Sequence, residues 1–114
     1  MPEERGHEAD PRVVHCVLHE DVITFMSANS KEICGFSPEH YQGRPLSEFV
    51  HPEDHGALAP LAAPDWEGII DAQFRMRGVD GVWTWRHAQG VRTVDADGGS
   101  SIVTLRKVDP PDAT

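Results

Sequence analysis

Apolar and polar residues alternate in the second half of the chain, a pattern that predicts β-strands. The alternation is clearest between residues 70 and 77, where the apolar positions are Ile70, Ala72, Phe74 and Met76. A period of two places such side chains on one face of a strand and the intervening polar ones on the other. Strand-like runs at 82–94 and 101–108 follow, with a turn sequence at 95–99 between them. This half therefore predicts three consecutive strands.

The first half predicts a hairpin followed by short helices. The runs 13–18 and 22–26 are rich in β-branched and apolar residues and lie three residues apart. Helix-start signals follow: Asn29 with Glu32 three residues later as a capping box, then Ser37-Pro38-Glu39, closed by Gly43, and His51-Pro52. Strands and helices in separate blocks predict an α+β fold with an antiparallel sheet.

Composition narrows the classes of function. The 114 residues are enough for one domain, and the net charge of −9 with only two lysines argues against nucleic-acid binding. No apolar run approaches the roughly 20 residues that cross a membrane. We expect a cytoplasmic protein with a flexible acidic tail at 1–11, a folded domain at 12–108 and a C-terminal tail at 109–114.

Several short motifs stand in a fixed order along the folded part. They are Ser27, Gly35-Phe36-Ser37-Pro38-Glu39, Gly43, His51-Pro52-Glu53-Asp54, Phe74-Arg75 and Asp80-Gly81-Val82-Trp83-Thr84-Trp85. In this order and spacing the chain resembles a PAS domain with a C-terminal PAC motif, and the resemblance covers about residues 13–108. Trp85 stands at the motif position of the family's tryptophan.

The resemblance implies a fold and a function. It implies a five-stranded antiparallel sheet of order 2-1-5-4-3, short helices on one face and a small cavity between them. It also implies a sensory or dimerisation module, paired with a second copy through N-terminal segments and the outer sheet face. The signal would pass to an output domain or partner, such as a kinase, cyclase or transcription regulator, that the sequence does not identify.

We predict a set of pocket residues and no catalytic residue. The pocket candidates rest on apolar character and family position: Phe25, Ile33, Phe36, Tyr41, Phe49, Leu58, Phe74 and Trp85. Trp83, Trp85 and His87 share one strand face, which we expect to be core or pocket at Trp85, while an exposed Trp83 would mark an interface. The weaker alternative is a cone-shaped α+β enzyme using Asp71, whose side chain alternation places on the polar face.

Haem and flavin are the weaker alternatives, because the residues favour a domain that binds no cofactor. A haem would take His55 as its axial ligand, but this histidine lies in polar surroundings, and we expect His51 to cap the helix. Cys34 lacks the motif of light-sensing flavin domains and reads as a small buried residue. Gly56, Pro60 and Pro64 also interrupt the helix that usually shields the pocket. No zinc site is expected, because His15 and Cys16 point to opposite faces of a strand.

Overall fold

The computed structural model describes residues 12–63 and 65–110, so the predicted tail at 1–11 lies outside them. The elements are β1 (Val13–His19), β2 (Val22–Met26), α1 (Ser30–Cys34), α2 (Pro38–Tyr41), a first 3-10 helix (Leu46–Phe49), a second 3-10 helix (Pro52–Leu58), α3 (Ala59–Ala62), β3 (Gly68–Arg77), β4 (Trp83–Asp95) and β5 (Gly98–Lys107).

All five strands form one antiparallel sheet in the order β2-β1-β5-β4-β3. Three hairpins connect the neighbours β1–β2, β3–β4 and β4–β5, whereas β1 and β5 pair across the length of the chain. The α+β class and the strand order predicted from the resemblance are confirmed. All helices of the described residues lie between β2 and β3 in the chain, and these two strands form the edges of the sheet.

The helices are short because glycine and proline interrupt them. Gly35 ends α1 with a φ of 109°, a left-handed conformation that favours glycine. The predicted capping box at Asn29 was wrong: its side chain makes no cap bond, and its Nδ2 donates to the carbonyl of Val13 in β1. The predicted cap at His51 is present, since its Nδ1 accepts from the amide of Glu53.

One face of the sheet packs against the helices and forms the core. Its inward positions include Val14, Cys16 and Leu18 of β1, and Val103 and Leu105 of β5, all at most 2% exposed. On β4, however, the inward positions are Arg86, Ala88, Gly90 and Arg92. Two arginines therefore point into the core from a strand whose tryptophans point outward.

Arg92 is buried at one end of the sheet, where its guanidinium bonds the loop before β3 and the β1–β2 turn. It donates from Nη1 to the carbonyl of Trp66 at 2.6 Å and from Nη2 to Glu20 Oε1 at 3.2 Å. Glu20 Oε2 also accepts from the amide of Gly99 at 2.8 Å. A Cβ on Gly99 would overlap the Arg92 guanidinium, so glycine is required for this close approach.

Candidate functional site

A cavity of about 120 Å³ lies between the sheet and the helices. The sheet supplies its floor from β1, β3, β4 and β5, and the two 3-10 helices, α3 and Trp66 supply its roof. The inward side chains that line it are almost all apolar and include Leu18, Leu58, Leu61, Phe74, Val103 and Leu105. Ala72 and Ala88 line the cavity from the sheet, and these small side chains leave room there.

The cavity offers little polar chemistry. Of the described residues that line it, Asp71 alone is charged, and its side chain is 64% exposed, with Oδ1 only 2.7 Å from Nε2 of His87. Alternation places both side chains on the outer face, as predicted for Asp71. An apolar wall attracts apolar molecules and gives a charged substrate no partner.

The structure brings two of the eight predicted pocket residues together at this cavity. Leu58 and Phe74 line it. Phe36, Tyr41 and Phe49 instead form an aromatic cluster elsewhere in the core, with the Tyr41 and Phe49 ring centroids 4.7 Å apart. Burial raises the pKa of the Tyr41 hydroxyl well above its usual range.

The remaining predicted residues lie away from the cavity. Phe25 and Trp85 occupy the outer face of the sheet, and the expectation that Trp85 is core or pocket was wrong. The Arg75 guanidinium covers the Trp85 ring at 5.1 Å, which accounts for the partial burial of this tryptophan. Ile33 packs against the edge of the core near Arg86.

The side chain of His55 hydrogen-bonds to the backbone. Its Nε2 lies 3.1 Å from the carbonyl of Ser47 and 3.0 Å from that of Val50, so it donates to carbonyl oxygens. This bond joins the two 3-10 helices and leaves that nitrogen unsuited to a haem iron. The cavity is also below the roughly 300–1,000 Å³ typical of cofactor and ligand sites.

Both cysteines are buried free thiols. Burial raises the pKa of the Cys16 thiol to about 12 and also raises that of Cys34, although Arg86 lowers the latter slightly. Among residues 12–63 and 65–110, no group of three histidines, cysteines or carboxylates could hold a metal ion.

Most residues of the cavity wall were not among those predicted from the sequence. Leu18, Val103 and Leu105 stand at alternating positions of β1 and β5, so the same period of two that revealed β3 also marks them as inward. Leu61 and Trp66 carry no such signal, because the short helix and the loop around them have no regular period.

An apolar row crosses the outer face of the sheet. One residue from each strand stands in register with its neighbours, in the order Phe25, Val17, Ile102, Val91 and Ile69. Apart from the partly buried Val17, they are between 47% and 76% exposed. Polar residues such as Thr104, Gln89 and Asp71 form the adjacent row. The row is thus an apolar stripe on a polar face.

At the edge strand, Arg75 connects the outer face to the second 3-10 helix. Its guanidinium binds Asp54 while stacking on Trp85, and Arg77 stacks on Trp83 at 5.9 Å. The hydrogen bonds from Arg75 hold the pKa of Asp54 below its usual range.

Within the part of the chain that the structure describes, no helix is long and apolar enough to cross a membrane.

Comparisons with known proteins agree with this architecture. A family model of the PAS fold matches residues 23–104. A variant of the PAS-B domain of Drosophila melanogaster Cycle, solved with bound glycerol, is similar with a TM-score of 0.70 and 15% identity, over 83% of this chain and 99% of that one. No curated protein matches the sequence.

Two microbial structures are also similar. The PAS domain of an HTR-like protein from Haloarcula marismortui gives a TM-score of 0.67 at 16% identity, covering 84% of this chain and 86% of the other. A sensory box histidine kinase/response regulator from Burkholderia thailandensis gives 0.64 at 19%, covering 86% and 78%. With the sheet order and the matched residues, these findings show that the chain belongs to the PAS family, whose domains are sensory modules of signalling proteins.

Proposed function

We propose that this PAS domain senses a small apolar molecule bound between its sheet and its helices. The apolar cavity of about 120 Å³ carries the proposal. An engineered apolar cavity of about 150 Å³ in another protein stays dry and binds benzene or xenon, so a guest of that size fits the space and the chemistry here. Haem and flavin are too large for it.

The signal would arise from the wall that the ligand touches. Leu58 belongs to the second 3-10 helix, which contacts β3, and Leu61 belongs to α3, which contacts β5. A ligand that prefers one packing of these short helices shifts the population toward it by no more than its difference in affinity for the two packings. Similarity to a histidine kinase/response regulator supports an output module downstream, whose kind stays open.

Titration with benzene or xenon, followed by the amide signals of the protein in NMR, tests ligand binding. We expect saturable shifts at cavity residues, abolished by Ala88→Val, which fills the floor of the cavity. Ala62→Val is the matched control, because this exposed alanine of α3 does not line the cavity. Absence of saturable shifts with both guests would refute the apolar-ligand proposal.

A second candidate function is self-association through the outer face, and the apolar row favours it. Ile102 stands at the centre of the row with two apolar residues on either side. A two-fold axis through Ile102 would therefore place the row of one copy against the same row of a second copy, as an interface between identical copies requires. Burying these exposed side chains would stabilise the dimer by about 25 cal/mol per Å² of apolar surface, before the cost of association.

Light scattering across a range of protein concentrations tests this second candidate. We expect a concentration-dependent dimer for the wild type and a monomer for Ile102→Glu, with unchanged circular dichroism. Gln89→Glu adds a charge to the polar row beside the stripe and should leave the dimer intact. A wild-type protein that stays monomeric at all concentrations contradicts the proposed dimer.

A further inference from the structure

A basic groove of about 580 Å³ lies at the end of the sheet where the chain enters β1 and leaves β5. Among the residues that the structure describes, four cationic ones line it, Arg12, Arg86, Arg106 and Lys107, against two acidic ones, Glu32 and Asp109. Even with Arg12 set aside, the described residues that line the groove carry three positive charges against two negative ones, while the whole chain carries −9. Arg86, Arg106 and Lys107 are three of the ten lysines and arginines, and their grouping in so acidic a chain favours an anionic partner.

Arg86 forms the floor of this groove. The residue is 5% exposed, whereas Arg12, Arg106 and Lys107 are exposed around it. Its Nη2 donates to the carbonyl of Ile33 at 2.8 Å, but Nε and Nη1 have no hydrogen-bond partner among the residues that the structure describes. A guanidinium stays charged at any physiological pH, and burying it is costly where its N–H groups lack hydrogen-bond partners.

A second observation points to the same place. Arg86 of β4 and Lys107 of β5 are directly opposite each other in the antiparallel register. Residues opposite each other share a face of the sheet, and two like charges in that arrangement repel. An anion held between them would relieve this repulsion and supply the missing partners of Arg86.

We propose that the groove binds a small oxyanion carrying phosphate or carboxylate groups. The fork of Arg86 is the bidentate partner of such a group, and Lys107 with Arg106 supplies further positive charge. Because Nε and Nη1 are covered, direct pairing requires the guanidinium to turn toward the groove. The bound anion would lie between Arg86 of β4 and Lys107 at the end of β5, at a site separate from the apolar cavity.

NMR titrations of the wild-type protein with inorganic phosphate and with citrate, at constant ionic strength, test the proposal. We expect saturable shifts of the amides of Ile33, Arg86, Lys107 and Val108 and of the Arg86 Nε–H signal. The anion that binds more tightly identifies the preferred group, phosphate or carboxylate. Loss of one charge-assisted contact in Lys107→Gln should weaken binding about tenfold.

Arg44→Gln is the matched control, because Arg44 is an exposed arginine outside the groove. It should leave the affinity unchanged. Arg106→Gln and Lys107→Gln alter exposed side chains, so both variants should fold even if a change at Arg86 does not. The proposal is overturned if neither anion gives saturable shifts, or if Lys107→Gln and Arg44→Gln bind equally well.

Discussion

Arg75 on the edge strand β3 binds both carboxylate oxygens of Asp54 in the second 3-10 helix. Its Nε lies 2.9 Å from Oδ2, its Nη2 lies 2.9 Å from Oδ1, and its backbone amide also donates to Oδ2 at 2.9 Å. A fork of this kind fixes geometry as well as adding energy. It attaches the second 3-10 helix, one of the segments that cover the cavity, to the edge of the sheet.

Replacing Asp54 by asparagine should destabilise the protein at neutral pH and much less in acid. The native pKa of Asp54 lies below its ordinary value of 3.8. Its stabilising contribution is therefore present above pH 3.8 and is lost as the pH falls through the native pKa. Urea unfolding at pH 7, 5, 4 and 3 measures the free energy of unfolding of both proteins. The difference between wild type and Asp54→Asn should shrink below about pH 4.

Glu48→Gln is the control for the Asp54 experiment. Glu48 is 48% exposed and lies 3.4 Å from Arg44, an arrangement of little energetic weight. Its loss should change stability little at any of the four pH values. If the difference in unfolding free energy between wild type and Asp54→Asn keeps the same size from pH 7 to pH 3, the role given to the ionised carboxylate is contradicted.

Two phenylalanines, both proposed as pocket residues from the sequence, should differ widely in their effect on stability. Phe74 is 1% exposed in the cavity wall, so Phe74→Ala should cost about 3–5 kcal/mol of unfolding free energy. Phe25 is 47% exposed on the outer face, and Phe25→Ala should cost less than about 1 kcal/mol. Denaturant unfolding at low protein concentration measures both, and equal costs would contradict the assignment of the two faces.

Gly99 should tolerate no side chain beside the buried Arg92. Gly99→Ala places a methyl group where the guanidinium lies and should cost about 1–3 kcal/mol through overpacking. Gly56→Ala is the control, since a Cβ there meets nothing within 4 Å and alanine is the better helix former. Thermal unfolding compares the two, and the arrangement of Arg92 is wrong if Gly99→Ala is as stable as the wild type.

The two thiols should be inert in the native protein. Cys16 is 0% and Cys34 is 6% exposed, and the pKa of Cys16 is raised to about 12, so almost no thiolate is present at pH 8. A thiol-reactive dye should label neither cysteine under native conditions and both in denaturant. Rapid labelling of the native protein at a rate independent of its stability would contradict the burial of these residues.

Much of the fold could be predicted from the chain. Alternation located β3, the β-branched runs located β1 and β2, and the order of motifs from Phe36 to Trp85 indicated the sheet order through the resemblance. Gly35 and Pro52 marked helix boundaries correctly, because glycine and proline restrict the backbone wherever the chain folds. Asn29 failed as a capping-box residue, since the carbonyl of Val13, distant in sequence, binds its side chain instead.

The candidate site was much harder to predict. Alternation divides β4 into two faces but does not say which one the helices cover. Hydrophobicity favoured the face of Trp83 and Trp85, yet the structure turns Arg86 inward, where the carbonyl of Ile33 accepts a hydrogen bond from its Nη2. That carbonyl lies 53 residues away along the chain. No local pattern reports so distant a partner.

The sequence by itself determined the local elements, because period, turn residues and propensity act within a few neighbouring positions. Only the tertiary structure decided which side of β4 is core, how small the cavity is, and that five apolar residues from five strands form one row. Those features depend on strand register and on side chains brought together from distant parts of the chain. The same holds for the facing charges of Arg86 and Lys107, which are 21 positions apart in sequence and directly opposed in the sheet.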